Sequence, residues 1–443
     1  MNVIKKLAGA ASLLLFAAFT TSAQTPTRTL NLDEAVQLGI QNSKQLKRSQ
    51  FKIDEALARF DQAKDLRLPD MKVSFQYLHA LMLSRLISIP GITKDPIKLP
   101  FDFPAYLGTL SVTEPIFAGN QFKYARQSAD LMVQMSRLDA DKDKDDITYL
   151  VINSYLNYDK IIENQLIVAQ NMQDIQGKLD EITKYENQGL ATQNDVLRYQ
   201  LQRSQMELTE IELENNRKIA NFNLNIVLGL PDSTQIILPP IDYKVNETPV
   251  IADLLQQAEV NRRELQDIGY QSKIADVNIK KIHDERLPTV AASGGLYYIN
   301  PTADVIPTHN NAIVPLTLGI GASWDIGTLY KNRNKEREAS LQRQELNTAK
   351  DQIHDQIRQE VYDQFMMYHT ALDKIKVLQV AITQAQENER IMESKFRNNL
   401  ATTTDRIDAQ TLLYQSRVNL ELAKSDATIA YYNILRSTGK IHP

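Results

Sequence analysis

The 443-residue chain is mildly acidic, with 50 basic and 54 acidic residues, a mean hydropathy of −0.35 and no cysteine. The lack of cysteine excludes disulfides, thiolate metal sites, a cysteine nucleophile and an acylated N-terminal cysteine. The acidity argues against nucleic acid as a partner. The six histidines lack ligand spacing, and no nucleotide-binding, hydrolase or metalloprotease motif is present. We therefore expect no metal, no cofactor and no enzymatic activity.

Residues 1–23 have the pattern of a secretory signal peptide. Lys5 and Lys6 precede an apolar run from Leu7 to Phe19, and the run ends at the small residues Thr21-Ser22-Ala23. This pattern predicts export, with cleavage after Ala23. A retained transmembrane helix is the alternative, but the apolar run is short for one. No later stretch has about 18 uncharged apolar residues, so any later membrane span is expected to be β.

Two long stretches contain no proline, residues 116–230 and 316–442, and residues 328–438 also lack glycine. An interior proline costs a helix about 3 kcal/mol and a glycine about 1 kcal/mol, so these stretches permit very long helices. Their apolar residues recur every three or four positions, which is typical of coiled-coil packing. We predict helices at Phe122–Glu186 and Tyr330–Asn398, the first about 97 Å long at about 1.5 Å per residue.

Strands are predicted in the proline-rich segments, where apolar and polar residues alternate. The alternation is strict at residues 316–326 and recurs at 73–77, 110–112 and 290–296. These patterns predict four strands with one apolar face, arranged as two hairpin-like pairs. Aromatic residues flank the strands, and we expect a girdle at the membrane interface; core aromatics of a soluble sheet are the alternative. The predicted girdle residues are Tyr77, Tyr106, Tyr297, Tyr298 and Trp324.

The two halves of the chain share landmarks in the same order, which indicates an internal duplication. Asn42 recurs as Asn261, and Gly229 recurs as Gly439. We divide the chain into a signal peptide (1–23), a first structural repeat (24–238), a linker (239–250) and a second structural repeat (251–443). Each repeat is predicted to contain a helix, two strands, a long helix, a tight turn and a last helix.

Four amphipathic strands do not lie open in lipid, because their edge N–H and C=O groups would be unsatisfied at several kcal/mol each. A spanning barrel needs about eight strands or more. The strand count therefore excludes a monomeric barrel and leaves the number of copies open.

The repeated order of elements and the two helix-hairpin tips, residues 185–192 and 396–402, resemble TolC-like outer-membrane efflux proteins. The resemblance covers nearly the whole mature chain. It implies a mainly α fold with a transmembrane β-barrel: a homotrimer of twelve strands in the outer membrane, with a twelve-helix tunnel in the periplasm. It also implies a passive exit channel of a tripartite efflux or type I secretion system, which docks with a periplasmic adaptor and an inner-membrane pump.

The resemblance places a constriction at the second tip. By position it falls on Asp405 and Asp408, which lie one turn apart on one helix face, with Asp195 as the first-repeat counterpart. The alternative is that these are ordinary helix N-terminal acids stabilised by the dipole. The chain departs from the best-known family member in having Ala401 where a basic residue is expected near the second tip, with Arg397 and Arg406 close by.

The two tips are the surfaces that we expect to contact adaptor hairpins. They comprise Gly189, Leu190, Ala191 and Thr192 in the first repeat, and Leu400, Ala401 and Thr402 in the second. The first tip has one more residue between its aromatic residue and its leucine than the second tip has. Ordinary turn chemistry, with threonine as the N-cap, is the alternative role.

A rival interpretation is a periplasmic coiled-coil scaffold or adaptor without a pore. Such proteins lack four amphipathic strands and usually carry one helical hairpin rather than two. The strands and the duplication therefore favour the channel.

Overall fold

The computed structural model describes residues 27–81, 86–87, 94–95, 97–98, 102–240, 249–301 and 312–441. The predicted signal peptide and most of the predicted linker lie outside the described residues. The first repeat contains β1 (Thr27–Thr29), α1 (Leu32–Asn42), α2 (Lys44–Asp65), β2 (Asp70–Leu81), β3 (Leu86–Ile87), β4 (Ile97–Lys98), β5 (Asp102–Ala118), α3 (Gln121–Asn187), α4 (Gln193–Leu228) and β6 (Gln235–Ile237). The second contains α5 (Ile251–Asn261), α6 (Arg263–Asp284), β7 (Thr289–Pro301), β8 (Leu316–Ser323), α7 (Thr328–Arg397) and α8 (Thr403–Ser437).

The two longest helices, α3 and α7, lie where the proline-free stretches predicted them. Each differs from its predicted bounds by at most two residues at either end. Gly119 and Asn120 have positive φ angles of 57° and 60° immediately before α3, so the backbone changes direction there before the helix begins. Among the described helices, none has a stretch long and apolar enough to cross a membrane.

The chain divides into two compact units, and each unit draws on both repeats. The helix unit comprises Met1–Arg48, Asp141–Arg262 and Asp355–Pro443, and the sheet unit comprises Ser49–Ala140 and Arg263–His354.

The sheet unit contains a four-stranded antiparallel sheet with the order β2-β5-β7-β8. The predicted hairpins are therefore present, as β2-β5 and β7-β8, and the pairing of β5 with β7 joins the two repeats into one sheet. In the single chain the sheet is open, and β2 and β8 are its two edges.

The register separates an apolar face from a polar face, because side chains at paired positions point to the same side. The apolar face is highly exposed: Leu318 is 83% exposed, Val73 78% and Ile320 76%. The apolar face carries Met71, Val73, Phe75, Tyr77, Leu110, Val112, Leu296, Tyr298, Leu316, Leu318 and Ile320. The polar face carries Lys72, Ser74, Gln76, Thr109, Ser111, Thr113, Ser293 and Thr317.

The helix unit has a conventional buried core where α1, α3 and α4 meet the parallel pair β1-β6. Two buried tyrosines of α3 anchor this pair. The Tyr155 hydroxyl donates to the Leu30 carbonyl oxygen at 2.9 Å, and the Tyr158 hydroxyl donates to the Ile236 carbonyl oxygen at 3.0 Å. Because both acceptors are backbone atoms, the bonds fix the position of the strand pair on α3.

The structure gives a physical reason for the repeated asparagine and glycine landmarks. Gly229 and Gly439 end the last helices of the two repeats with φ angles of 67° and 71°. A Cβ added to Gly229 would lie 2.6 Å from the Cβ of Asn42, and one added to Gly439 would lie 3.0 Å from Asn261. The asparagine at the end of α1 or α5 therefore packs directly on glycine. In the first repeat, Asn42 Nδ2 also donates to the Leu228 carbonyl oxygen at 2.7 Å.

Candidate functional site

The first helix-hairpin tip is a short turn between α3 and α4. Gly189 has a φ angle of 74°, a conformation that glycine adopts without strain. The Leu190 amide donates to the Tyr185 carbonyl oxygen at 2.8 Å, which closes the last turn of α3 in a Schellman arrangement.

The second tip, between α7 and α8, repeats this geometry. Asn399 has a φ angle of 57°, and the Leu400 amide donates to the Lys395 carbonyl oxygen at 2.8 Å. The two turns have the same length. Tyr185 itself accepts the closing hydrogen bond in the first tip, whereas Phe396 follows the equivalent acceptor, Lys395, in the second.

Each tip ends in a capping box at the start of the next helix. The Asp195 carboxylate accepts hydrogen bonds from the backbone amide and the hydroxyl of Thr192, at 2.9 and 2.6 Å. In return, the backbone amide of Asp195 donates to the Thr192 hydroxyl. Asp405 and Thr402 form the same three bonds. Both threonines are therefore N-caps, which is the alternative role considered for the tips, and both aspartates are acids at a helix N-terminus.

The environment of both capping carboxylates favours their charged forms. Partial burial alone would raise the pKa of Asp195, but hydrogen bonds from Thr192 and from Thr403 outweigh it, so the pKa is lowered. The Thr403 bond also joins the first tip to the second. The pKa of Asp405 is lowered by its hydrogen bonds with Thr402. Asp408 is exposed on the same side of α8 as Asp405.

Beneath the tips, a buried arginine ties three helices together. The side chain of Arg406 on α8 is 3% exposed. Its Nε donates to Glu393 of α7 at 2.6 Å and its Nη2 donates to the same carboxylate at 3.0 Å, which is a bidentate pair. The Nη2 also donates to Glu181 of α3. The guanidinium lies 4.7 Å from the centre of the Phe396 ring.

A second cation completes this network, which we name the Arg406 network: Lys178, Glu181, Glu389, Glu393 and Arg406. Lys178 of α3 pairs with Glu389 at 2.6 Å and with Glu393 at 3.6 Å. The network thus contains three carboxylates and two cations, and it joins α3 of the first repeat to α7 and α8 of the second. Beside it, burial raises the pKa of the Tyr199 hydroxyl to about 12.

The Arg406 network was not predicted from the sequence, although one signal was available. A cation in the first turn of a helix opposes the helix dipole, so Arg406 needs compensation by anions. The positions of Glu181 and Glu393, far away in the chain, supply that compensation and are fixed only by the packing of the helices.

The remaining tip residues divide into exposed and packed positions. Leu190 and Leu400 are 72% and 76% exposed, so each tip presents one apolar side chain to its surroundings. Ala191 instead packs against the small core formed by Leu179, Ile182 and Tyr199.

On the sheet, the register places three of the five predicted girdle residues on the apolar face, namely Tyr77, Tyr106 and Tyr298. Tyr77 and Tyr106 are paired across β2 and β5, with ring centres 5.3 Å apart, and Tyr298 lies near them. Trp324 follows the opposite end of the sheet, where Ser323 pairs with Thr289. The register places Tyr297 on the polar face instead, because it adjoins Tyr298 in the strand.

The two aromatic ends are separated by a distance that matches a membrane. The strand positions between Tyr298 and the level of Trp324 span about 34 Å at about 3.4 Å per residue. For strands tilted by about 40°, as in outer-membrane barrels, this corresponds to about 26 Å along the membrane normal, against an apolar band of about 25 Å. Within the described part of the chain, no group of three or more metal-binding side chains is arranged to hold an ion.

Comparison with known proteins gives a consistent family. The model of the outer membrane efflux protein family matches residues 35–230 and 254–440, one segment in each repeat. Outer membrane protein TolC of Escherichia coli (strain K12) is 20% identical over 421 residues, covering 93% of this chain and 83% of the relative.

Solved structures share the fold at low sequence identity. VceC of Vibrio cholerae superposes with a TM-score of 0.73 at 16% identity, covering 92% of this chain and 96% of VceC. The Campylobacter jejuni CmeC outer membrane channel superposes with a TM-score of 0.73 at 13% identity, covering 92% and 85%. Because the family model matches most of the chain and in both repeats, the chain belongs to the outer membrane efflux protein family, whose members extend from the outer membrane into the periplasm.

Proposed function

We propose that three copies of this efflux channel close a twelve-stranded barrel in the outer membrane. The observation that carries the proposal is an open four-stranded sheet with an exposed apolar face and two edges, β2 and β8. An open edge in lipid leaves backbone groups unsatisfied, and pairing β8 of one copy with β2 of the next removes every edge. Three copies supply twelve strands, and the polar face then lines the lumen.

The long helices of the three copies form a periplasmic tunnel. Each chain contributes α3, α4, α7 and α8, so three copies give twelve helices. The protein is a passive duct in this arrangement. Energy for export comes from an inner-membrane pump, and a periplasmic adaptor couples the pump to the duct.

The hairpin tips are the surfaces that meet the adaptor. Both tips present an exposed leucine, Leu190 or Leu400, on a turn with the same backbone geometry. Exposed apolar side chains on a rigid turn are suited to packing against a partner helix. Gly189, Ala191 and Thr192 in the first tip, and Ala401 and Thr402 in the second, set the shape of these turns.

The periplasmic entrance is gated at the second tip. Asp405 and Asp408 lie on the exposed side of α8, so three copies place six carboxylates around the entrance, with Asp195 beside them. A narrow ring of like charge attracts cations and repels anions. The Arg406 network lies behind this ring and holds α8 against α3 and α7, which favours the closed entrance.

Purified protein reconstituted into planar bilayers tests the proposal. The channel predicts a heat-sensitive trimer on gels and discrete conductance steps in the bilayer. A scaffold or adaptor without a pore predicts a protein that stays soluble without detergent and conducts nothing. That second result, with the strands still folded by circular dichroism, would reject the channel.

A further inference from the structure

The apolar face of the sheet contains a groove that runs along β7. The groove has a volume of about 620 Å³. Its floor is formed by Ala292 and Gly294 of β7, and its walls include Val112 of β5 with Leu318 and Ile320 of β8. The groove exists because β7 carries small residues at positions where its two neighbours carry large ones.

The groove lies within one chain, between β5 and the inward-facing side of the edge strand β8. β5 and β7 are the two inner strands of the sheet, and subunit pairing in the proposed barrel uses β2 and the outer edge of β8. A second copy therefore does not fill the groove. On the outer surface of a barrel, the molecules that meet an apolar groove are lipids.

One carboxylate lies at the end of this groove. Glu114 lines it, and the Cα partners Ala292 and Ile320 place Glu114 on the apolar face. Its side chain is half-buried, and none of the residues that the structure describes forms an ion pair with it. A charge facing lipid is costly unless it is paired, so a cationic partner from outside the chain would stabilise the Glu114 carboxylate.

We propose that the groove binds an aminophospholipid, with an acyl chain along β7 and the headgroup ammonium on the Glu114 carboxylate. The inference rests on the barrel placement proposed above. The depth of Glu114 is appropriate for a headgroup contact. Its partner Ala292 lies about 10 Å along the strand from Thr289, where the sheet ends beside Trp324. An ammonium group donates hydrogen bonds to a carboxylate, whereas an anionic headgroup is repelled.

Native mass spectrometry of the detergent-purified trimer tests the site. The trimer is incubated with phosphatidylethanolamine or with phosphatidylglycerol of the same acyl chains, and bound lipid is counted as detergent is removed. We expect phosphatidylethanolamine to be retained about tenfold better, the ratio given by one charge-assisted hydrogen bond of about 1.5 kcal/mol.

Two variants and one control assign the effect to the site. Glu114→Gln is expected to abolish the preference for phosphatidylethanolamine, and Ala292→Leu is expected to fill the groove and lower the retention of both lipids. Asp70→Asn makes the same change of charge at the neighbouring register position, on the polar face, and should keep the wild-type preference.

The outcomes separate this inference from the channel itself. Equal retention of the two lipids by the wild type, or an unchanged preference in Glu114→Gln, would overturn the lipid site while the trimer mass and conductance stay intact. A protein that is monomeric and does not conduct would overturn the barrel instead. The Glu114→Gln result remains decisive if Ala292→Leu fails to assemble, because Glu114→Gln changes no volume.

Discussion

Replacing Arg406 with methionine removes the guanidinium that joins α8 to α3 and α7, and we expect the closed entrance to be weakened. Methionine keeps much of the length of the side chain but has no charge. Glu181 and Glu393 then lose their main partner, and the side chain that faces Phe396 becomes apolar. The entrance should open more often, and the ionic conductance should rise.

The size of the effect follows from burial. Removing one partner of a buried ion pair costs about 3–5 kcal/mol. The cost is smaller here because the carboxylates left behind reach solvent, with the Glu181 side chain 29% and the Glu393 side chain 19% exposed. In addition, Lys178 still lies 3.6 Å from Glu393. We therefore expect a loss of about 2–3 kcal/mol, which shifts the closed-to-open ratio roughly 30- to 150-fold.

Single-channel recording in planar bilayers measures this ratio. Arg397→Met is the matched control, because Arg397 binds the same Glu393 at 3.0 Å but is 67% exposed. An exposed pair contributes about 0–1 kcal/mol, so the control should change the ratio no more than about fivefold. Adding Glu181→Gln and Glu393→Gln to Arg406→Met should restore much of the closed state. Identical recordings from Arg406→Met and Arg397→Met would show that the buried guanidinium does not hold the entrance closed.

Acid should open the entrance through the same network. Burial alone would raise the pKa of Glu393, but the charge and hydrogen bonds of Arg406 outweigh it, so the pKa lies below its ordinary value of 4.5. A lowered carboxyl pKa contributes stability above pH 4.5, and that stability is lost as the pH falls through the lowered pKa. Conductance should therefore rise below about pH 4.5 and stay flat between pH 6 and 8, and Glu393→Gln should remove part of the rise.

Three further predictions follow from the geometry. Gly229→Ala should lower the thermal midpoint of unfolding, because the new Cβ would clash with Asn42 and the φ angle is positive. Gly177→Ala is the control: the position is open and lies within α3, so the substitution should raise stability by about 0.5–1 kcal/mol. Leu318→Arg on the apolar face should reduce folding into lipid vesicles by about 2–4 kcal/mol, and Thr317→Arg on the polar face should not; equal effects would contradict the assignment of the faces. Asp408→Ala should weaken block of the pore by a trivalent cation without disturbing the capping box, and unchanged block would move the constriction elsewhere.

The sequence predicts the long helices and the strands well, because each depends on local rules. The absence of proline over residues 116–230 and 316–442 leads to α3 and α7 within two residues of their observed ends. Strict alternation over residues 316–326 leads to β8, although the strand ends at Ser323 and Trp324 follows it.

What the sequence does not predict depends on contacts between distant residues or on register. The pairing of β5 with β7, the partners of Arg406 and the groove beside Glu114 all require the folded chain. Composition alone assigns both Tyr297 and Tyr298 to the girdle, but neighbours in a strand point to opposite faces, so only Tyr298 lies on the apolar face. The equal length of the two tips also needed the backbone hydrogen bonds rather than the positions of the aromatic residues.

Cross-linking between copies tests whether the open sheet is completed by other copies of the same chain. One cysteine is placed on each edge of the sheet, as Ser74→Cys in β2 and Gly319→Cys in β8, and the pair is then moved to neighbouring register positions. Because the chain has no cysteine of its own, any disulfide reports only the contact between these two edges. Oxidation of the membrane-inserted protein should yield a ladder of cross-linked species that ends at three chains. Species that remain single chains at every register, with the sheet intact, would show that other copies do not complete the sheet.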